Sequence, residues 1–213
     1  MKQYSTYIFD LDGTLLDTLQ DLAVSVNYAL RQCSMPERTL DEVRQFVGNG
    51  VKMLMIRAVP HGEENLRFKE AFDLFRNHYM EHSLDTTAPY PGIKEMLVRL
   101  KTSGKRMAVV SNKFDTATKE LIHHFFGSLI EVAIGENEAA GVRKKPAPDT
   151  VNEALRQLGV GKENAVYIGD SDVDLQTARN SGLPCISVLW GFRDRLFLQA
   201  HGATTFACSP MDI

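Results

Sequence analysis

Asp10-Leu11-Asp12-Gly13-Thr14 sets two carboxylates two residues apart, directly after the apolar run Tyr7-Ile8-Phe9. In extended chain such a pair points to one side. A short continuous apolar run is the pattern of a buried parallel strand. Two close acids repel each other unless a cation or a proton sits between them. The pair therefore asks for a metal, a catalytic role, or both, just beyond a strand's carboxyl end, where open α/β sheets hold their ligands. Gly13 permits a sharp turn at that point. The same five residues also suit a plain strand-ending turn.

Three further apolar runs end in residues that can do chemistry. Met107–Val110 leads into Ser111-Asn112. Ile130–Ile134 is followed, past Gly135, by a turn-rich stretch holding Lys144-Lys145-Pro146. Ala165–Ile168 ends in Gly169-Asp170, with Asp174 four residues on. Taken one at a time, Ser111 reads as a helix cap, Lys145 as a solvated loop charge, and Asp170 as a cap for a helix beginning near Asp172. Together they bring a hydroxyl, a cation and acids to one edge of a sheet, which a single site explains better than separate coincidences.

These residues resemble the motifs of the haloacid dehalogenase superfamily of phosphohydrolases, in its phosphoglycolate-phosphatase-like branch. The family's DxDGT motif stands as Asp10 to Thr14, its motif-two hydroxyl as Ser111, its lysine before proline as Lys145, and its GDxxxD as Gly169 to Asp174. The resemblance spans the chain in motif order. It implies an α/β fold: a Rossmann-like parallel sheet with helices on both faces, formed by residues 1–15 and 86–213, and an inserted all-helical cap at 16–85. A cap in that place can close over a site and exclude water.

The resemblance also implies roles. Asp10 is the nucleophile and forms an aspartyl-phosphate, splitting one hard step into two. A hard divalent cation, magnesium, is held by Asp10, the Asp12 backbone carbonyl and Asp170. Asp12 is general acid to the departing oxygen, then general base to water. Lys145 offsets negative charge, Ser111 hydrogen-bonds a phosphoryl oxygen, and the Asn112 backbone amide assists. Asp174 holds the metal's water or Lys145 rather than the metal itself. Lys144 is a weaker candidate than Lys145, because the Lys-Pro junction matches the family at Lys145.

An acid at Asp12 favours phosphate esters, whose leaving oxygen needs a proton. Phosphoglycolate is the first choice of substrate, from the resemblance of Val47–Gly50, Ser111–Lys113 and Val188–Gly191 to that branch. Inorganic pyrophosphatase and a broad sugar or nucleotide phosphatase remain open. A phosphoryl transferase of the β-phosphoglucomutase type is the runner-up, although its pattern carries an acid where this chain has Gly169. A phosphorylated receiver domain fits poorly, since its acceptor lies on a middle strand and it has no use for so large an insertion.

Composition agrees with a globular core plus one modest insertion. Net charge is −3 over 213 residues, which offers no broad footprint for nucleic acid. Three scattered cysteines make no disulfide framework. No run is long enough for a bilayer and the N-terminus lacks a signal peptide's apolar stretch. The expected setting is cytoplasmic, as a monomer or homodimer acting on a small phosphorylated metabolite.

Helical periodicity fills the insertion. Thr18 with Asp21, and Thr39 with Glu42, are spaced as capping boxes. The helices expected are one towards Arg31, one ending at Gly48-Asn49-Gly50, Val51–Val59 and Glu63–His82. His61, His78 and His82 lack ligand spacing and read as surface histidines, and His123-His124 point to different helix faces. Arg57 reads as a solvated helix arginine that could bind a substrate carboxylate. Trp190–Arg193 either borders the pocket or anchors a loop.

Overall fold

The computed structural model describes residues 4–137 and 141–213. The chain folds into two compact units: Met1–Leu16 with Pro89–Ile213, and Asp17–Ala88.

The first unit is built on a parallel sheet. Its strands are β1 (Thr6–Phe9), β4 (Arg106–Phe114), β5 (Val132–Glu136), β6 (Ala165–Gly169), β7 (Cys185–Val188) and β8 (Phe206–Ala207), in the order β5-β4-β1-β6-β7-β8. Two short strands, β2 (Leu16–Asp17) and β3 (Ala88–Pro89), pair with each other. All four residues of β1 are buried, as a strand covered on both faces requires. Alternation divides them: Tyr7 and Phe9 enter one apolar cluster, with Met96, Leu97 and Leu100 of α5 (Ile93–Thr102) and Leu121, Ile122 and Phe126 of α6 (Asp115–Phe126). Ile8 enters the opposite cluster, with Val151, Ala154, Leu155 and Leu158 of α7 (Asp149–Leu158) and Ala178 of α8 (Asp172–Ser181). The sheet thus carries helices on both faces. A short helix, α9 (Arg195–Ala200), precedes β8.

β1 is central, paired with β4 on one side (Phe9 opposite Val109) and β6 on the other (Phe9 opposite Ile168). The chain runs outward from β1 through β4 to β5, then crosses back to β6. Strand order therefore reverses beside β1, and the carboxyl ends around it form the crevice in which such sheets place ligands. Two strand extents differ from the apolar runs. β4 continues through Ser111–Lys113, with its register against β5 shifting between Val110 and Phe114. β5 begins at Val132 rather than Ile130.

The second unit is helical: α1 (Leu19–Gln32), α2 (Leu40–Phe46), α3 (Val51–Ala58) and α4 (Phe68–His82). Leu22, Val26, Ala29 and Leu30 form the buried stripe of α1, at helical spacing, and α1 packs on α4. Glu63 does not open α4. Gly62–Glu64 form a separate 3-10 turn, and the helix starts at Phe68. The Thr39–Glu42 capping box is present in both directions. The one expected at Thr18 is not: Thr18 makes no side-chain cap, and Asp21 turns to Thr86 and Thr87 instead. His78 is half-buried rather than a surface histidine, and its Nδ1 lies 3.0 Å from the Ser25 hydroxyl. Arg57 is not a solvated arginine: it donates to the Phe46 carbonyl at 2.6 Å and to the Asn49 side chain at 2.7 Å, bracing the Gly48–Gly50 loop. Among the described residues, no helix is long and apolar enough to cross a membrane.

Candidate active site

Asp10 is the first residue past β1, and its N–H extends the ladder by donating to the Ile168 carbonyl at 2.9 Å. Lys145 reaches it from the loop after β5. The Lys145 Nζ lies 2.6 Å from Asp10 Oδ1 and 2.8 Å from Asp174 Oδ1, and donates to the Tyr167 hydroxyl at 3.1 Å. The Lys145–Pro146 peptide is cis. Asn112 grips the lysine's backbone, accepting its N–H at 2.7 Å and donating to its carbonyl at 2.9 Å. Lys144 is only half-buried; its neighbour enters the cluster.

Asp174, in the first turn of α8, has both oxygens engaged. Oδ1 accepts from Lys145 and from the Tyr167 hydroxyl at 3.0 Å. Oδ2 accepts the N–H groups of Asp170 and Ser171 at 3.2 and 3.1 Å, and the Ser171 hydroxyl at 2.6 Å. Ser171, not Asp170, caps α8. That leaves Asp170 for other work at the end of β6: it is buried, and its Oδ2 accepts the Phe192 N–H at 2.7 Å. Gly13 makes the fit possible. Its φ of +86° is left-handed, and a Cβ there would stand 2.4 Å from Asp170 Oδ2, so only glycine lets the loop after β1 lie against this acid. Trp190 anchors the same loop by donating its indole N–H to the Thr14 carbonyl at 2.9 Å.

Asp12 stands apart from this cluster. Its carboxylate is partly exposed and pairs with Lys113, whose Nζ lies 3.1 Å from Asp12 Oδ1. Ser111 and Asn112 are buried at the end of β4, and the Ser111 hydroxyl accepts the Lys113 N–H at 3.1 Å.

Charge is unbalanced here. Carboxylate oxygens of Asp10, Asp170 and Asp174 all lie within 4.8 Å of one another, facing one ammonium. Burial, then the Asp174 charge, pushes Asp10 well above the usual carboxylate range, and Lys145 only partly opposes them. Burial and Asp174 likewise push Asp170 up to about 7, against the Phe192 N–H. Burial alone would lower Lys145, but Asp10 and Asp174 outweigh it and keep the ammonium above the ordinary lysine range. Perturbation of this kind inside a strand-end crevice makes the cluster the candidate active site.

Lys113, Tyr167 and the Phe192 N–H carry no role in the motif pattern. Tyr167 lies in an apolar run and reads as core. Lys113 had a usable signal, since residues i and i+2 of a strand share a face and Ser111 already points to the site.

Comparison with known proteins places the chain. The haloacid dehalogenase-like hydrolase model matches residues 7–188. A Caulobacter vibrioides protein named phosphoglycolate phosphatase is 35% identical over 213 residues, covering 98% of this chain and 89% of its own. Its namesake in Aquifex aeolicus is 32% identical over 187 residues, covering 87% and 84%. A crystal structure from Lactobacillus delbrueckii subsp. bulgaricus matches with a TM-score of 0.93 at 35% identity, over 99% of this chain and 97% of that one. CbbY from Rhodobacter sphaeroides, in complex with phosphate, matches with a TM-score of 0.76 at 25% identity, over 98% and 95%. The chain belongs to the haloacid dehalogenase-like hydrolase family. Within it, the similarity runs to proteins named phosphoglycolate phosphatase.

Proposed function

We propose that this chain hydrolyses a small phosphate monoester, with 2-phosphoglycolate the first choice, through an aspartyl-phosphate on Asp10. One observation carries the reading: the Lys145 ammonium sits buried between Asp10 and Asp174 at the strand edge that also holds Asp170. The names of the relatives favour the same substrate.

A phosphate ester resists attack by an anion, so the site must supply positive charge, in-line placement and help for the leaving oxygen. Lys145 anchors one oxygen of Asp10, leaving the carboxylate's other oxygen to attack phosphorus. As that bond forms, the bond from phosphorus to the alcohol oxygen breaks, and Asp12 delivers a proton to it. Asp12 then takes a proton from water as the water attacks the phosphoenzyme; the bond to Asp10 breaks and inorganic phosphate leaves. Ser111 donates its hydroxyl hydrogen to a phosphoryl oxygen, with the Asn112 N–H beside it.

The donor set fits magnesium. Asp10 and Asp170 offer oxygens only, as hard cations prefer, and their raised carboxyls show a local excess of negative charge that a cation would relieve. Asp174 is the poorer ligand because both its oxygens are engaged. The ion would be held by Asp10, Asp170 and the Asp12 carbonyl, and would neutralise charge on the phosphoryl group.

Gly169 argues against the transferase alternative. A Cβ there would stand 2.3 Å from Asp174 Cβ, so this backbone has no room for the acid that the β-phosphoglucomutase pattern carries. The test is phosphate release from a panel including phosphoglycolate, pyrophosphate and β-glucose 1-phosphate, with and without magnesium. Metal-dependent release, greatest from phosphoglycolate, is expected. Release from pyrophosphate alone overturns the substrate; phosphoryl transfer between sugars without release overturns the reaction class.

A further inference from the structure

We propose that Lys113 is the positioning residue of Asp12, holding one carboxylate oxygen so that the other meets the leaving group; this rests on the phosphatase reading above. Burying an ammonium is costly unless it is paired. Lys113 is 3% exposed, and its pairing is with the acid assigned to proton transfer, at 3.1 Å. The site therefore contains two buried lysines and divides them between the two acids of the first motif, Lys145 on Asp10 and Lys113 on Asp12.

The base of this lysine is held as well as its tip. Its N–H donates to the Ser111 hydroxyl at 3.1 Å, and its carbonyl accepts from the Thr118 hydroxyl at 3.4 Å. The ammonium's reach is set by the end of a central strand rather than by a mobile loop. Asp12 needs such a constraint. A carboxylate on a turn rotates about two side-chain bonds, whereas proton transfer demands a donor within hydrogen-bond reach of the reacting oxygen. With Oδ1 anchored, Oδ2 carries the proton to the departing oxygen and later accepts one from water.

The experiment is a double-mutant cycle of Lys113→Met and Asp12→Asn, with Lys113→Gln as a shorter variant that keeps a donor. All are checked for folding by circular dichroism, and read with p-nitrophenyl phosphate and an alkyl phosphate in saturating magnesium. Lys113→Met should lower kcat on the alkyl ester about 100-fold. It should spare the initial burst of p-nitrophenol, whose leaving group needs little acid help. Added to Asp12→Asn it should cost less than about threefold more, because coupled residues are not additive. Lys113→Gln should fall between wild type and Lys113→Met, and carries the cycle alone if the methionine variant does not fold. Additive losses, an equal loss in the rate of phosphoenzyme formation with both leaving groups, or a rise in KM with kcat unchanged would each overturn the proposal; the last would make Lys113 a substrate-binding residue. Wild-type enzyme that forms no phosphoenzyme would instead overturn the phosphatase reading.

Discussion

Asp10 and Asp21 are both buried carboxylates, and the two units use them in opposite ways. In the helical unit, Asp21 accepts the N–H groups of Thr86 and Thr87 at 3.0 and 2.9 Å and their hydroxyls at 2.5 and 2.8 Å. Burial would raise this carboxyl, but those donors outweigh it and hold it below the usual range. In the sheet unit, Asp10 shares its ammonium with Asp174, and burial and the neighbouring acids drive it up. The first acid is surrounded by donors and ties the end of α4's following loop to α1. The second, the proposed nucleophile, is crowded by its own kind. Burial is common to both; the sign of the neighbours sends one carboxyl down and the other up.

Asp10→Asn tests the contrast most severely. Removing the nucleophile should cut turnover by at least about 10⁴-fold. It should leave the metal-free melting temperature unchanged or higher, since one buried negative charge goes with almost no change in volume. Substantial residual turnover, measured as phosphate release, would show that Asp10 is not the nucleophile.

Chelation of metal should abolish activity, and magnesium should restore it. Calcium should inhibit, because it takes more oxygen ligands at longer distances and accepts bidentate carboxylates, occupying both oxygens of Asp10. Full turnover in calcium after stripping other metals would show that Asp10 does not attack as proposed.

Asp12→Ala should slow steady-state turnover by about 1,000-fold while sparing formation of the phosphoenzyme from p-nitrophenyl phosphate. A burst of p-nitrophenol followed by slow turnover, with phosphate trapped on Asp10, is the expected trace. Equal damage to both half-reactions would move the acid and base role elsewhere.

Asp21→Asn sharpens the structural side. Losing the charged acceptor of the Thr86 and Thr87 donors should cost about 3 kcal/mol of stability at neutral pH. A carboxyl held below its unfolded value of 3.8 contributes stability above that pH and loses it as pH falls through the folded value. Denaturant unfolding of wild type and variant should therefore converge in acid. A gap that persists there would mean that packing, not charge, is what Asp21 supplies.

Tyr167→Phe is the mildest change, removing one hydroxyl from the Lys145–Asp174 pair. It should cost about 1 kcal/mol of stability and less than about tenfold in kcat. A larger loss would place the tyrosine among the groups that touch the phosphoryl oxygens.

Much of this was legible in the chain. The apolar runs marked the central strands because parallel strands buried on both faces leave no polar alternation. The residues ending each run belong to one edge because connections in such a sheet keep all strands parallel. Local spacing was weaker inside the helical unit. Thr39 and Glu42 made their capping box, whereas Thr18 and Asp21, at the same spacing, did not. A cap needs only one turn of helix, but Asp21 found better donors at the far end of the unit, which no local pattern reveals. Glu63 failed as a helix start for a similar reason: the polar stretch after Val59 turns on His61 and Gly62, both at positive φ, before the chain settles into α4.

Which chemical groups reach the strand ends, and in what order, follows from strand, turn and helix patterns that are local properties of the chain. Which group meets which follows from the packed fold. Lys145 is 135 residues from Asp10, and Lys113 rather than any neighbour of Asp12 supplies that acid's counter-charge. Such pairings depend on strand order and on the reach of each side chain across the sheet edge. So does the pull on each carboxyl's proton: Asp10, Asp170 and Asp21 are the same residue type, and burial with different neighbours is what sends the pKa of two of them up and one down.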